Sequence, residues 1–264
     1  KDDRLGYASF AKHLAEAIVK TLPVDGLVIA VYAPWGSGKS TLLEFINYYL
    51  SLMDEGQQPI VIRFNPWWFS GQQDLTKQFF VQLQMTLATR LSEVGNQIKA
   101  FVKLFGKMVS KAANDIGEPF LEMLDSEQDL SQEKEKVSDL LRKQNKKVLV
   151  IIDDIDRLTS SEIRLLFGLI KSLGDFPNLI YLLAFDKDVV VKALEEAQGI
   201  KGEVYLEKIV QIPFELPLPS QTTVRTLLLE QLPQILEGTP ADLFDDTHWR
   251  NVFFDGIQHF VATP

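Results

Sequence analysis

Apolar residues fall into two kinds of pattern along this chain, and the way they alternate predicts an architecture. Five short runs, residues 27–32, 60–64, 148–152, 179–184 and 209–214, are nearly all apolar. A strand loses its in-and-out alternation when neither face meets water, so such runs read as strands of a parallel sheet covered on both sides. Between and after them, apolar positions recur at helical spacing over about residues 41–52, 74–90, 161–173 and 188–196. Ser160 and Ser161 are candidate N-caps for the third of these helices, and Gly174 its candidate stop. The expectation is an α/β protein: a three-layer, doubly wound parallel sheet.

The interval between the second and third strands, about residues 95–147, is long and reads as a helical insertion of two unlike halves. In the first half Lys99, Lys103, Lys107 and Lys111 recur at a spacing of four, while Ile98, Phe101, Val102, Phe105, Met108 and Val109 fall on the opposite face. A basic amphipathic helix of this kind either packs its apolar face on the domain or lies on an anionic membrane surface or nucleic acid. Packing, with the lysines in water, is the expectation. The second half, residues 125–147, is dense in both charges and reads as solvated helix or loop. After Phe214 the segment Glu215-Leu216-Pro217-Leu218-Pro219 breaks the pattern, and helical patterns resume near Gln221. Residues 1–217 are the expected core and 218–264 the start of a C-terminal helical subdomain. No internal repeat is visible.

Composition narrows the class of protein. With 264 residues, 46% hydrophobic and 24% charged, the chain belongs among ordinary globular proteins and can bury a sizeable core. It has no cysteine, which removes disulfides, thiol nucleophiles and thiolate metal sites. A net charge of −9 repels a phosphate backbone on average, so nucleic-acid binding would need a local basic patch. No apolar run reaches the roughly 18–20 residues of a spanning helix, and nothing at the start resembles a signal peptide. The expected location is cytoplasmic, with peripheral membrane contact left open by the lysine-bearing helix. The chain opens on Lys1 and stops just beyond a helical pattern, so it reads as an excerpt of a longer polypeptide. His13, His248 and His259 are scattered without metal-ligand spacing and receive no role.

Two segments carry chemistry. The first strand runs into Pro34-Trp35-Gly36-Ser37-Gly38-Lys39-Ser40-Thr41 and then a helix. A triphosphate needs several converging N–H donors, and a tight loop in front of a helix N-terminus supplies them together with the favourable end of the helix dipole. Gly36 and Gly38 permit the curl, and Ser37 adds a backbone donor. Lys39 sets a compact positive charge against the β and γ phosphates, while the Ser40 hydroxyl is a ligand for Mg²⁺. The pattern departs once from G-x-x-x-x-G-K-[ST], with Ala33 where the first glycine is usual.

The third strand ends in Ile151-Ile152-Asp153-Asp154-Ile155-Asp156-Arg157. Carboxylates at the C-terminal edge of a parallel sheet arrive beside the phosphate loop. Asp153 is then the partner of Mg²⁺, and Asp154 the base that orients or deprotonates the attacking water, with Asp156 the alternative. Arg157 is either an arginine finger for a neighbouring subunit or the ion-pair partner of Asp154 or Asp156. Asp186, which closes the fourth strand, either senses the γ phosphate or caps the next helix. In Arg63-Phe64-Asn65-Pro66-Trp67-Trp68-Phe69, Trp67 and Trp68 are expected in the core, and Asn65 sits where a strand tip meets the site. No Asn-Lys-x-Asp guanine signature occurs, which favours ATP over GTP.

Taken in order, these blocks resemble the KAP family of P-loop triphosphatases. The resemblance rests on Pro34 to Ser40, on Phe64-Asn65-Pro66-Trp67 followed by Asp74-Leu75, on Ile152 to Arg157, on Ala184-Phe185-Asp186, and on the run Leu206-Glu207-Lys208-Ile209-Val210-Gln211-Ile212-Pro213-Phe214. It implies kinship with AAA+ and other additional-strand ATPases, a sheet in the order 5-1-4-3-2, and a place near the adenine for Leu5-Gly6-Tyr7. Family members often carry transmembrane segments between the two phosphate-binding motifs, where this chain has its lysine-striped segment. Bacterial relatives commonly serve in anti-phage defence, where the ATPase drives self-assembly or signals to a protein effector. The functional expectation is an ATPase that uses Mg²⁺ and whose nucleotide state switches assembly or a partner. The competing expectation is a nucleotide-gated scaffold with little turnover, in which Asp154 is structural.

Overall fold

In the computed structural model the strands β1 (Leu27–Tyr32), β2 (Ile60–Phe64), β3 (Val148–Ile152), β4 (Leu179–Phe185) and β5 (Ile212–Glu215) pair parallel in the order β2-β3-β4-β1-β5. This is the order implied by the family resemblance, read from the other edge. The structure describes residues 3–21, 25–71, 75–112, 128–144, 146–198, 201–238, 240 and 245–260, without the side chains of 104–112, 128–130 and 197–198.

The strands β1, β3 and β4 split their side chains between two apolar layers. Ile29, Val31, Leu149, Ile151, Ile180 and Leu182 pack beneath α1 (Ala8–Lys20) and α2 (Lys39–Ser51). Val28, Ala30, Val148, Val150, Ile152, Tyr181 and Leu183 face the other layer. That layer is built from α3 (Leu75–Arg90), α4 (Ser92–Ala112), α5 (Gln128–Lys143), α6 (Ser160–Leu173), α7 (Lys187–Gln198) and α8 (Gly202–Glu207). Every residue of β3 and β4 is buried, which is why their sequences show no alternation.

The register brings the C-terminal strand ends level. Phe64 pairs with Ile152, Ile152 with Leu183, and Tyr32 with Phe185. The residues that follow β1, β2 and β3 thus emerge along one edge of the sheet, where ligands bind in folds of this kind.

Three expectations are corrected. The fifth strand begins at Ile212, not at residue 209. Ile209 and Val210 are apolar because they are buried in the core cluster just before the strand. The cap of α6 is Thr159, not Ser160 or Ser161: its side chain accepts from the Glu162 amide while the Glu162 carboxylate accepts from the Thr159 amide. Finally, within residues 125–147, α5 is no free-standing solvated element. Val137 and Leu141 lie four apart on the helix and are wholly buried against α4, a stripe too narrow to show through so charged a sequence. Residues 125–127 lie outside the described residues.

The amphipathic segment follows the packing expectation. Val94, Ile98 and Phe101 of α4 are buried in the core, and Lys99 and Lys103 face water. The side chains of Phe105, Lys107, Met108, Val109 and Lys111 lie outside the described residues. Among the described residues no helix is long and apolar enough to cross a membrane. Helices resume with α9 (Gln221–Ile235) and α10 (Asp246–Val252). Arg4 pairs with Glu230 of α9 at 3.1 Å, and the Arg225 guanidinium lies 4.6 Å from the Phe254 ring.

Candidate functional site

β1 delivers the chain into the turn that precedes α2, and two glycines make that turn. Gly36 and Gly38 have φ of 81° and 87°, the left-handed region that strains any residue with a Cβ. At Gly38 a Cβ would also stand 3.0 Å from Leu5 Cδ1 and 3.1 Å from Tyr7 Cε2. Ala33 is not among the residues with positive φ, so alanine meets no strain where the usual pattern has glycine. The turn is bonded to itself: the Ser37 amide and hydroxyl both donate to Pro34 O, at 3.4 and 2.6 Å. Tyr7 donates its hydroxyl to Ser37 O at 2.6 Å, and burial, with help from Asp3, pushes its phenol pKa up. Gly38 is the N-cap of α2, and no side chain caps that terminus. The first amides of the helix are thereby directed at the adjoining space.

That space is a cavity of about 240 Å³. Trp35, Gly36, Gly38, Lys39, Ser40 and Thr41 line one side, and Asp153, Asp154, Asp156 and Arg157 the other. Ser40 Oγ donates to Asp153 Oδ2 at 2.7 Å and so joins the phosphate loop to the tip of β3. Burial pushes the Asp153 carboxyl up. The hydrogen bonds from Ser40 and the Asp154 amide work against this, the Asp154 charge adds to it, and the Lys39 charge opposes it. Lys39 is only 8% exposed. Its ammonium donates to Ala33 O at 3.0 Å and Pro34 O at 3.2 Å, and pairs at 3.4 Å with Asp156, itself 6% exposed.

Asp154 is held on both carboxylate oxygens. Asn65 Nδ2 donates to Oδ2 at 2.7 Å, and Arg157 Nε meets Oδ1 at 2.7 Å. Its φ of 59° is left-handed, an uncommon backbone for a non-glycine residue. Asn65 therefore reaches the site as its position at the end of β2 predicts. Of the roles open to Arg157, the geometry shows the ion pair with Asp154.

The structure does not gather every candidate. The Asp186 carboxylate accepts from the Asp188 amide at 3.1 Å at the start of α7, and Asp186 does not line the cavity. Of its two readings, the cap is the one with a visible contact. Gly6 and Tyr7 lie behind the loop and do not line the cavity, although Tyr7 braces the loop from there. Pro34 and Ser37 form the turn's own framework. Trp67 and Trp68 correct the core expectation, being 47% and 71% exposed. They ride on the short 3-10 turn Pro66–Phe69, in which Pro66 and Phe69 face inward and the tryptophans outward.

Sequence reasoning missed the fixture that holds this turn. Glu162 accepts from Ser70 Oγ at 2.9 Å and from the Gly71 amide at 2.7 Å as well as from Thr159. Glutamate three residues beyond a threonine cap was the available signal. A cation–π contact was also missed: the Arg157 guanidinium carbon lies 4.9 Å from the centre of the Trp67 ring.

Comparison with known proteins follows the same lines. The model of the KAP family P-loop domain matches residues 7–264. The Phage T7 exclusion protein of Escherichia coli (strain K12) is 26% identical over 280 residues, a match that takes in 91% of this chain and 37% of that protein. Among solved structures, the Aeropyrum pernix ORC2 protein in its ADPNP-ADP complexes is similar at 15% identity and a TM-score of 0.43, over 86% of this chain and 51% of the other. Cdc6p from Pyrobaculum aerophilum is similar at 13% identity and a TM-score of 0.44, over 88% and 51%. The chain thus spans little more than a third of the curated relative and about half of each solved chain. With a family model covering nearly its whole length, this chain belongs to the KAP family of P-loop domains.

Proposed function

We propose that this chain is an ATP-binding and Mg²⁺-dependent ATP-hydrolysing module whose nucleotide state switches assembly or signalling, in a system that defends against phage. The observation that carries the chemistry is the 2.7 Å contact of Ser40 Oγ with Asp153 Oδ2, which sets a hydroxyl and a carboxylate side by side beneath the phosphate loop. Two hard oxygen donors suit Mg²⁺, which binds few protein groups and keeps waters and phosphate oxygens around it. Bound there, the ion would neutralise charge on the β and γ phosphates.

The remaining steps belong to the chain's own residues. The amides of Gly36 to Thr41 receive the phosphates, with Pro34, Trp35 and Ser37 shaping the loop, and Lys39 exchanges a present partner for a phosphate oxygen. Gly6 and Tyr7 border the adenine. A water oxygen bonds to the γ phosphorus as the bond from that phosphorus to the β–γ bridging oxygen breaks. ADP and phosphate leave, and the proton of the water passes to Asp154. Asn65 and Arg157 each take one lone pair, one on either oxygen, and a lone pair remains on each oxygen for the water.

The defence role rests on the similarity to a phage exclusion protein. Residues 1–217 would be the nucleotide-binding core and 218–264 the start of a helical subdomain that conveys its state to a second copy or an effector. The second reading is a nucleotide-gated scaffold with little turnover, which the engaged carboxylate of Asp154 favours. Steady-state phosphate release separates the two. Hydrolysis predicts a rate that falls by about a hundredfold or more in Asp154→Asn. Equal, near-background rates in both proteins would establish the scaffold instead. Calorimetry with ATP and GTP, with and without Mg²⁺, tests the choice of nucleotide.

A further inference from the structure

The ion pair on Asp154 is the inner half of an arrangement that ends at the surface. Arg157 meets Asp154 Oδ1 through Nε at 2.7 Å, and its guanidinium carbon lies over the Trp67 ring, 4.9 Å from the ring centre. Trp67 is 47% exposed, so this ring does not sit in the core; the defined contact it makes is with Arg157. The turn that carries it is fixed at both ends. Asn65 Oδ1 accepts from the Trp67 amide at 3.1 Å, Ser70 and Gly71 are bound to Glu162, and Phe69 stacks on buried Phe64 at 5.8 Å. An exposed aromatic ring on so well anchored a turn is placed rather than loose.

We propose that Arg157 is a positioning residue for Asp154 and that Trp67 sets the place of Arg157, so that the exposed aromatic turn after β2 governs hydrolysis without governing nucleotide affinity. This rests on the reading of Asp154 as the base. A guanidinium bonds through its edge and stacks through its face at the same time, whereas an ammonium has neither the plane nor the fork. Asp154 sits at a left-handed backbone position, where its side-chain partners decide which way the carboxylate points. When the ring is removed the guanidinium loses one of its two fixed contacts, and Asp154 loses a defined orientation. The phosphate loop, on the other side of the cavity, makes none of these contacts.

The test is a double-mutant cycle in this protein. Nucleotide affinity is measured by calorimetry in EDTA, where turnover is absent, and kcat by phosphate release with Mg²⁺. Trp67→Ala is expected to lower kcat about three- to tenfold and leave nucleotide affinity within about twofold of wild type, and Trp67→Phe to restore most of the rate. Arg157→Ala is expected to lower kcat more than Trp67→Ala does, with Arg157→Lys recovering little of it. In the Arg157→Ala background, Trp67→Ala is expected to change kcat by less than about twofold, because the contact it removes is already gone. A wild-type rate in Trp67→Ala, or losses that multiply fully in the double variant, would overturn the proposal. Failure of the underlying reading looks different: Asp154→Asn would then hydrolyse ATP as fast as the wild type. A slow Asp154→Asn beside fully active Trp67 and Arg157 variants would overturn the positioning role alone.

Discussion

Ser40 and Asp153 stand 113 residues apart in sequence and 2.7 Å apart in space, the hydroxyl of one donating to the carboxylate of the other. Metal binding at this point is predicted to demand both oxygens. Ser40→Ala and Asp153→Asn should each weaken ATP binding in the presence of Mg²⁺ by about tenfold or more while changing binding in EDTA by less than about threefold. Calorimetry under the two conditions reads the difference; equal losses in both would remove Mg²⁺ from this pair.

Lys39 and Asp156 give a prediction of opposite sign. The ammonium is held at 3.4 Å by a carboxylate that competes with phosphate for it. Asp156→Asn should tighten ATP binding, by about three- to tenfold, because Lys39 no longer gives up an anionic partner when it turns to the nucleotide. A loss of affinity in that variant, measured by competition with a fluorescent nucleotide, would show that Asp156 holds Lys39 in its working position instead.

Gly38 should resist substitution for two separate reasons. Its φ of 87° disfavours a side chain, and a Cβ would press on Leu5 and Tyr7 at 3.0 and 3.1 Å. Gly38→Ala is predicted to cost about 1–3 kcal/mol of stability. Urea unfolding of this variant, alone and combined with Leu5→Ala, separates the reasons: relief by the second substitution reports the steric part.

Glu162 carries the pH dependence. Burial pushes its carboxyl up, but hydrogen bonds from Gly71, Thr159 and Ser70 outweigh that and hold it below the usual glutamate value. A depressed folded pKa means that the ionised form stabilises the fold above the unfolded value, near 4.3, and that this contribution is lost as pH falls through the folded one. Glu162→Gln should therefore cost about 1 kcal/mol at pH 7, a low figure because the carboxylate is partly exposed. The gap to wild type should begin to narrow as pH falls below the unfolded value and close once pH has passed the folded one. Melting curves of both proteins across that window check the sign.

How far the sequence could be read depended on whether a residue's surroundings were local. β3 and β4 are legible because strands buried on both faces must be apolar from end to end. The phosphate loop is legible because its glycines, lysine and serine act within one turn of chain. Val137 and Leu141 were hidden because two apolar positions barely register among the charges of α5, and only the partner helix α4 gives them meaning. Trp67 and Trp68 misled for the reverse reason. Large apolar rings imply burial, and nothing nearby in sequence says that Pro66 and Phe69 take the inner positions of that turn. Glu162, three residues beyond Thr159, carried a capping signal that was passed over for Ser160 and Ser161, and its second task, holding Ser70 and Gly71, depends on contacts about 90 residues away.

One asymmetry of the sheet governs how the site can move. β3 is flanked by β2 and β4 and covered above and below, whereas β2 has a neighbour on one side only. The tip of β3 cannot travel without breaking the middle of the sheet, while the end of β2 can shift at far smaller cost. The turn after β2 offsets that freedom: Glu162 holds Ser70 and Gly71, and Asn65 is bonded to Asp154, so the edge of the sheet is clasped to its immobile centre just where the site lies.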